Sequence, residues 1–407
     1  MAQKTGPLVV IDGHNTLIRN YVRSPYMTAD GERAGGTTGM VVSVRKLIND
    51  LSASNVIVVW DGEGGSQRRK SIASEYKAGR TVRLNRADDD MAVSVEEQRE
   101  NFNKQFAVAK EYLTLLGIPQ VRCDGVEADD IMAYIAGKMD HPGGCILVTT
   151  DQDMLQLIRA VGDWPRPCDS EKGHKSIDSG DDEIEPEFPS NPCVRCGAVP
   201  VSSEVKVWSP IKKVLYDRQR FISDYGVLPE NFRLVKALTG DSSDNIDGVK
   251  GFGTKTVAKS FPFLLEKKST ATDVLTAGEA LKGVLGKRLT EAKNQFLENL
   301  TLVDLSEPML SATAARQARE ALRKDLGCKE VDFRVRVIRD GITFNGDNFA
   351  GVFREFVMRR RRLLATMKPE PAEGFGLTAA MEDIARKIDA EVIAELNDLA
   401  DGENKSE

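Results

Sequence analysis

The sequence predicts an α/β fold built on a mostly parallel central sheet flanked by helices. Two observations carry that expectation. Short β-branched runs at 8–12 (LVVID), 55–62 (NVIVVWDG) and 145–153 (CILVTTDQD) share one design, an apolar stretch ending in aspartate. Helix-like segments at 38–52, 92–116 and 127–139 lie between them. Continuous apolar runs of this length read as strands buried on both faces, and strand–helix alternation implies parallel pairing. Ligands of such sheets sit beyond the carboxyl ends of the strands. Asp12, Asp61, Asp151 and Asp153 fall there.

Along the rest of the chain the pattern changes three times. Residues 163–209 are rich in Pro, Ser and acid and read as an insertion. Residues 210–305 return to helical patterning, interrupted by the glycine hairpin TGDSSDNIDGVKGFGTKTVAKSF at 239–261. Residues 330–365 look mixed, with short strands expected before the basic run at 359–362. MKPEPAEGFG at 367–376 reads as a linker, and 377–400 as one amphipathic helix. The expected domains are a body of 1–162 with 210–365, the insertion 163–209, and a linker with acidic tail over 366–407.

Composition limits the function classes. The 407 residues are 41% apolar and 29% charged, an ordinary globular balance. No apolar run approaches the roughly 20 residues of a membrane helix, and the start lacks the apolar core of a signal peptide. A cytoplasmic setting without a membrane partner is expected. Six scattered cysteines do not make a disulfide framework. The net charge of −6 conceals segregation, because 369–407 alone carries −8 and leaves +2 for 1–368.

Acids recur at Asp12, Asp61, Glu127, Asp129, Asp130, Asp151, Asp153, Asp241 and Asp244. Converging at strand ends, they would repel one another unless cations lay between them. Oxygen donors without neighbouring His or Cys select Mg²⁺ or Mn²⁺. Two such ions could activate water and stabilise a leaving oxygen on a phosphodiester. Taken singly, each acid could equally be a helix cap or a solvated charge. The hairpin matches neither an EF-hand, where Thr254 would replace the bidentate Glu, nor a phosphate-binding loop, where Gly would directly precede Lys.

With these motifs in order, the chain resembles the 5′ nuclease family: flap endonucleases, phage 5′→3′ exonucleases and the 5′-nuclease domain of bacterial DNA polymerase I. The matching pieces are VIDGHNTLIR, VVWDG, SEYKAGR, GVEADD, TTDQDM and GDSSDNIDGVKGFGTKTV, spread over about 7–305. The resemblance implies a PIN-like fold with a helical arch near 64–105 and a helix–three-turn–helix near 234–262. It places the metal set on the nine acids and functional arch positions on Arg69, Tyr76, Lys77 and Arg80. It also places DNA contacts at Arg19 and a K⁺ site at the helix–three-turn–helix. Lys77 would stabilise charge at the scissile phosphate. Tyr76 would either stack on a base or sit in the core.

Between Gln67 and Arg86, seven basic residues accompany one acid, Glu75. At the hairpin, Gly248, Gly251 and Gly253 permit close backbone approach. Lys250, Lys255, Thr256 and Lys259 follow at once, as expected of a grip on duplex phosphates. Asp247 reads as a turn residue, and His14 as a neighbour of the site. In the insertion, Cys168, His174, Cys193 and Cys196 admit a structural Zn²⁺ or an acidic loop with incidental cysteines.

The expected activity is two-metal hydrolysis of branched or 5′-ended DNA by a monomer in a bacterial or phage-infected cell. The acidic tail would serve as a site for a replication protein or as a solubiliser. The rival expectations are a DNA-structure-binding protein of the same fold with weak catalysis, and an RNA-directed nuclease.

Overall fold

The computed structural model describes residues 5–78, 84, 94–139, 141–162, 203–344 and 349–367. Arg80, Cys168, His174, Cys193, Cys196 and the tail from 368 lie outside the described residues. The chain divides into two units, 1–364 and 365–407, and the site belongs to the first.

Six strands form the central sheet: β1 Leu8–Asp12, β2 Asn55–Trp60, β3 Gln120–Arg122, β4 Cys145–Val148, β5 Val205–Ser209 and β6 Val214–Tyr216. Their order is β3-β2-β1-β4-β5-β6. All pairings are parallel except β5 with β6. The expectation of a mostly parallel α/β sheet is met. The physical cause is visible in β1 and β2, whose residues are all buried. Strands covered on both faces need no polar alternation.

The helices of the first half are α1 Gly13–Arg23, α2 Gly35–Asp50, α3 Gln67–Ile72, α4 Val95–Leu115 and α5 Ala128–Lys138. Further on come α6 Arg218–Tyr225, α7 Phe232–Thr239, α8 Thr254–Ser260, α9 Phe263–Glu266, α10 Ala271–Ala280, α11 Val284–Glu291 and α12 Lys293–Val303. Last are α13 Ala312–Arg323, α14 Glu330–Arg339 and α15 Gly351–Thr366. A two-stranded hairpin, β7 Gly240–Asp241 with β8 Ile246–Asp247, separates α7 from α8.

Two cores result, one on each face of the sheet. Val10, Ile57, Val59 and Leu147 face one core with Ile131 and Ile135 of α5. Val9, Ile11, Val56 and Val58 face the other with Met40 and Val44 of α2, Tyr112 of α4 and Phe353 of α15. Among the described residues no helix is long and apolar enough to cross a membrane.

Two sequence expectations are corrected. The insertion ends earlier than 209, because Val205–Ser209 is β5, hydrogen-bonded in parallel to β4. Its Val-Lys-Val-Trp alternation buries Val205 and Val207, a strand signal obscured by the Pro- and Ser-rich residues before it. The short strands expected in 330–365 are helices α14 and α15. In α14 the buried residues are Phe333 and Val337, four apart, while Val331, Val335 and Ile338 face outward. That is helical spacing despite the β-branched composition.

The sheet order positions the site. From β1 the chain moves outward through β2 to β3, then returns to β4 on the other side of β1. Loops leaving β1 and β4 therefore diverge and open a crevice at the sheet's carboxyl edge. Register aligns those ends: Asp12 lies opposite Val59, and Ile11 opposite Val148. Asp61 and Asp151 consequently emerge on the same edge as Asp12.

Candidate active site

Asp12 ends β1 and caps α1, accepting a hydrogen bond from the Asn15 amide at 3.0 Å. The Thr149 hydroxyl donates to its other oxygen at 3.0 Å. The turn from β1 into α1 is tight because residue 13 is glycine. A Cβ there would lie 2.3 Å from the Trp60 ring. Burial, then the charge of Asp61, pushes the Asp12 carboxyl up to about 7 against those hydrogen bonds, and Asp151 adds to the push.

Asp61 follows β2. Its carboxylate accepts from the Ala128 amide at 2.9 Å, which ties it to the first turn of α5. His14 Nδ1 lies 3.1 Å from the Asp61 amide nitrogen and 3.2 Å from the carboxylate. Burial pushes Asp61 upward, but His14, the Ala128 amide and Lys77 outweigh it and hold the group below the usual carboxylate range. Asp129 stands in the first turn of α5. Burial, then the charge of Asp151, raises it well above the ordinary value. Asp151 itself is turned by local bonds, accepting from the Asp153 amide at 2.9 Å.

These four acids and Glu127 line one cleft of about 750 Å³, together with His14, Arg19, Lys77 and Thr150. Among the described residues Asp12, Asp129 and Asp151 have no ion-pair partner. The cleft thus gathers several carboxylates that repel one another and draw two of their number toward protonation. All the donors are oxygen, apart from His14 at one side. That donor set fits a hard divalent cation. Among the described residues no three acids already converge on one coordination shell.

The other predicted acids have different surroundings. Asp130 does not line the cleft. It is 2% exposed, takes both Arg69 Nη atoms at 2.6 and 3.0 Å, and accepts from the Met309 amide at 2.9 Å. Its carboxylate thus faces Arg69 and the Met309 amide, away from the cleft. Arg69 is likewise buried, 3% exposed, with Nη1 on Glu127 at 2.6 Å and Nε on the Leu302 carbonyl at 2.9 Å. It joins α3, α5 and α12 and does not reach the cleft, so the expected catalytic contact is replaced by a structural one. Burial opposes the Arg69 charge, but Asp130 and Glu127 more than compensate.

Tyr76 is the buried alternative, 4% exposed, its hydroxyl 3.2 Å from Glu127 and 3.4 Å from Asp244. It offers no free ring face to a base in this conformation. Lys77 does reach the cleft. Its backbone is left-handed, with φ of 52°. Its amide donates to the Asp244 carbonyl at 2.8 Å, and its Nζ to Glu127 at 2.6 Å. Burial works against the ammonium, yet Glu127 and Asp129 hold its pKa above the ordinary lysine value. The tip of the β7–β8 hairpin thereby docks on the segment after α3.

Asp153 and Asp241 form a second group through a residue that the motif reading missed. Lys236 of α7, 8% exposed, places Nζ 2.9 Å from Asp153 and 2.5 Å from Asp241. A lone lysine inside the apolar helix FRLVKALT was the available signal. Burial, then Asp151, pushes Asp153 up to about 7 despite Lys236. Burial also pushes Asp241 upward, but Lys236 and Ser243 prevail and leave it below the usual range. Thr149 and Asn15 were missed too, since a hydroxyl and an amide beside an acid carry no distinctive pattern. Arg19 lines the cleft from α1. Lys250, Lys255 and Lys259 are exposed beyond the hairpin, Gly251 takes φ of 98°, and Gly253 caps α8.

A parallel α/β sheet with carboxylates gathered at its topological switch point gives oxygen donors that suit a hard cation, and comparison narrows the class. The profile of the 5′-3′ exonuclease N-terminal resolvase-like domain matches residues 7–175. The chain is 26% identical over 293 residues to a 5′-3′ exonuclease of Aquifex aeolicus, covering 72% of this chain and 78% of that protein. It is 27% identical to the thermostable DNA polymerase I of Thermus aquaticus over 70% of this chain, but spans only 27% of the polymerase.

The fold is similar to that of the phage T5 flap endonuclease in two structures. One, with metal ions, has 21% identity and a TM-score of 0.52, covering 87% of this chain and 99% of the phage protein. The other, a pseudo-enzyme–product complex with DNA and metal ions, has 22% identity and a TM-score of 0.50, covering 82% and 99%. The profile match and these relatives support a place in the 5′ nuclease family.

Proposed function

We propose that the chain is a divalent-metal-dependent 5′ nuclease that hydrolyses phosphodiesters of branched or 5′-ended DNA, with flap endonuclease and 5′→3′ exonuclease activity at one site. The observation that carries this reading is the cleft in which Asp12, Asp129 and Asp151 meet without a salt bridge among the described residues. The 5′-3′ exonuclease profile and relatives support it, as does the likeness in fold to a phage protein solved with metal ions and with DNA.

Asp12, Asp61, Glu127, Asp129 and Asp151 would hold the first Mg²⁺ or Mn²⁺, and Asp153, Asp241 and Asp244 would help place a second. Bound there, the ions supply an activated water and stabilise the leaving oxygen. The protein's own groups do the rest. Ala128 N–H and His14 orient Asp61. Thr149 and the Asn15 amide orient Asp12. Lys77 keeps a positive charge at the cleft wall, where negative charge develops on the phosphate. Lys236 fixes Asp153 and Asp241 relative to each other.

The α7–hairpin–α8 element acts as the helix–three-turn–helix. Its Gly248, Lys250, Gly251, Gly253, Lys255, Thr256 and Lys259 hold duplex phosphates without reading sequence, with K⁺ on its backbone carbonyls. Arg19 takes a phosphate on the other side of the cleft.

Cleavage of 5′-flap, nicked and single-stranded DNA in Mg²⁺ tests the proposal. Flap cleavage should stop on chelation. Asp241→Asn with Asp244→Asn should slow it by on the order of 10²-fold or more, and an unchanged rate would sink the metal assignment.

A further inference from the structure

A second cavity, of about 350 Å³, lies between α2 and the β5–β6 hairpin. Its size is at the small end of the roughly 300–1,000 Å³ of ligand sites. Leu47, Leu51, Val148 and Trp208 supply apolar walls, and Arg19, Lys46 and Lys213 supply cations. Asp50 also lines it and pairs with Lys46 at 3.5 Å.

The cavity follows from the sheet. Val205 and Val207 of β5 enter one core, so Lys206 and Trp208 point to the opposite face. Trp208 is opposite Val148 on one side and Leu215 on the other, and Leu215 is 36% exposed. The edge of that face therefore leaves the indole half-buried.

Two features join this cavity to the catalytic cleft. Arg19 lines both. The β5–β6 turn stands between them, with Ile211 on the cleft and Pro210 and Lys213 on the cavity. Buried Arg19 Nη1 has no hydrogen-bond partner among the described residues, which leaves a donor at the junction.

We propose that this cavity takes one unpaired nucleotide of the substrate strand, its base stacked on Trp208 and its flanking phosphates on Lys213 and Arg19. An aromatic wall with cations at the rim suits a base bearing phosphates, and continuity with the cleft makes the substrate strand the occupant. The assignment rests on the nuclease reading and gives that enzyme a specificity-determining contact away from the cut.

The experiment measures binding of 5′-flap DNA in Ca²⁺, with a single abasic site moved stepwise through the nucleotides around the junction. In the wild type, one abasic position should weaken binding about tenfold. Trp208→Ala should weaken binding of intact DNA about tenfold and lose the abasic penalty, whereas Trp208→Phe should keep most of it. Lys213→Ala should lower the salt slope of binding by about one.

A wild type that binds and cuts flap DNA but shows no position-dependent penalty overturns the pocket and leaves the nuclease reading standing. A penalty that survives in Trp208→Ala also overturns it. A wild type that neither binds nor cuts any of these DNAs overturns both readings. Loss of the penalty on adding a free deoxynucleoside monophosphate at equal concentration would overturn assignment to the substrate strand.

Discussion

Two clusters of carboxylates lie within one molecule and differ in what neutralises them. Asp130 behind the cleft and Glu127 at its wall are buried against Arg69, with Nη1 at 2.6 Å from each. On the cleft, Asp12, Asp129 and Asp151 have no such partner among the described residues. The same residue type is a structural tie in the first place and a stored repulsion in the second. Buried charge is tolerated when it is paired and hydrogen-bonded. Where it is not, the folded chain raises the acid's pKa, as at Asp12, or takes up a cation. The difference separates acids with a buried counter-charge from acids without one.

The sharpest way to test that contrast is to neutralise one member of each cluster. Asp12→Asn should lower flap cleavage by on the order of 10³-fold. It should also stabilise the metal-free protein, because asparagine still caps α1 and the repulsion with Asp61 and Asp151 is gone. Rates measured beside thermal unfolding in chelator check both. Lower stability would show that the Asp12 charge is already compensated.

The other cluster should respond in the opposite sense. Arg69→Ala leaves Glu127 and Asp130 buried without their guanidinium and should destabilise by about 3–5 kcal/mol, measured by denaturant unfolding. Arg69→Met with Asp130→Leu should recover much of that loss, since replacing a buried pair by apolar groups is far less costly than breaking it. Equal losses in the single and double variants would break the comparison.

The smallest effect is in pH. Asp12 titrates at about 7 in the folded chain and near 3.9 when unfolded. The folded form thus retains a proton that the unfolded form has released. By linkage, the contribution of this group to stability is full below about pH 4, is lost as pH rises to about 7, and is flat above. The stability difference between Asp12→Asn and the wild type should therefore grow through that window in chelator, and Mg²⁺ should shrink it. A difference independent of pH would show that Asp12 is ionised throughout.

Much of this was legible in the sequence. LVVID appears as β1 over the expected residues, and the acids after β1, β2 and β4 do meet in a cleft, because a strand's carboxyl end is marked locally by where the apolar run stops. Other features had no local mark. The alternation of β5 is five residues long and follows a segment with no pattern. Arg69 and Tyr76 stand in the same basic stretch as Lys77, yet only Lys77 reaches the cleft. Sequence order cannot tell which side chain of a short helix turns inward. Lys236 would be a surface cation by composition, and is instead the bridge between two acids.

The sequence by itself determined the kinds of residue, the strand–aspartate design and hence the edge of the sheet where chemistry would gather. Those follow from steric and hydrophobic preferences acting over a few neighbours. Only the tertiary structure decided which acids are neutralised by a buried cation and which are not. Arg69 meets Asp130 across 61 residues and the Leu302 carbonyl across 233. Electrostatic pairing acts through space at a few ångströms, and that distance exists only after the helices have packed on the sheet.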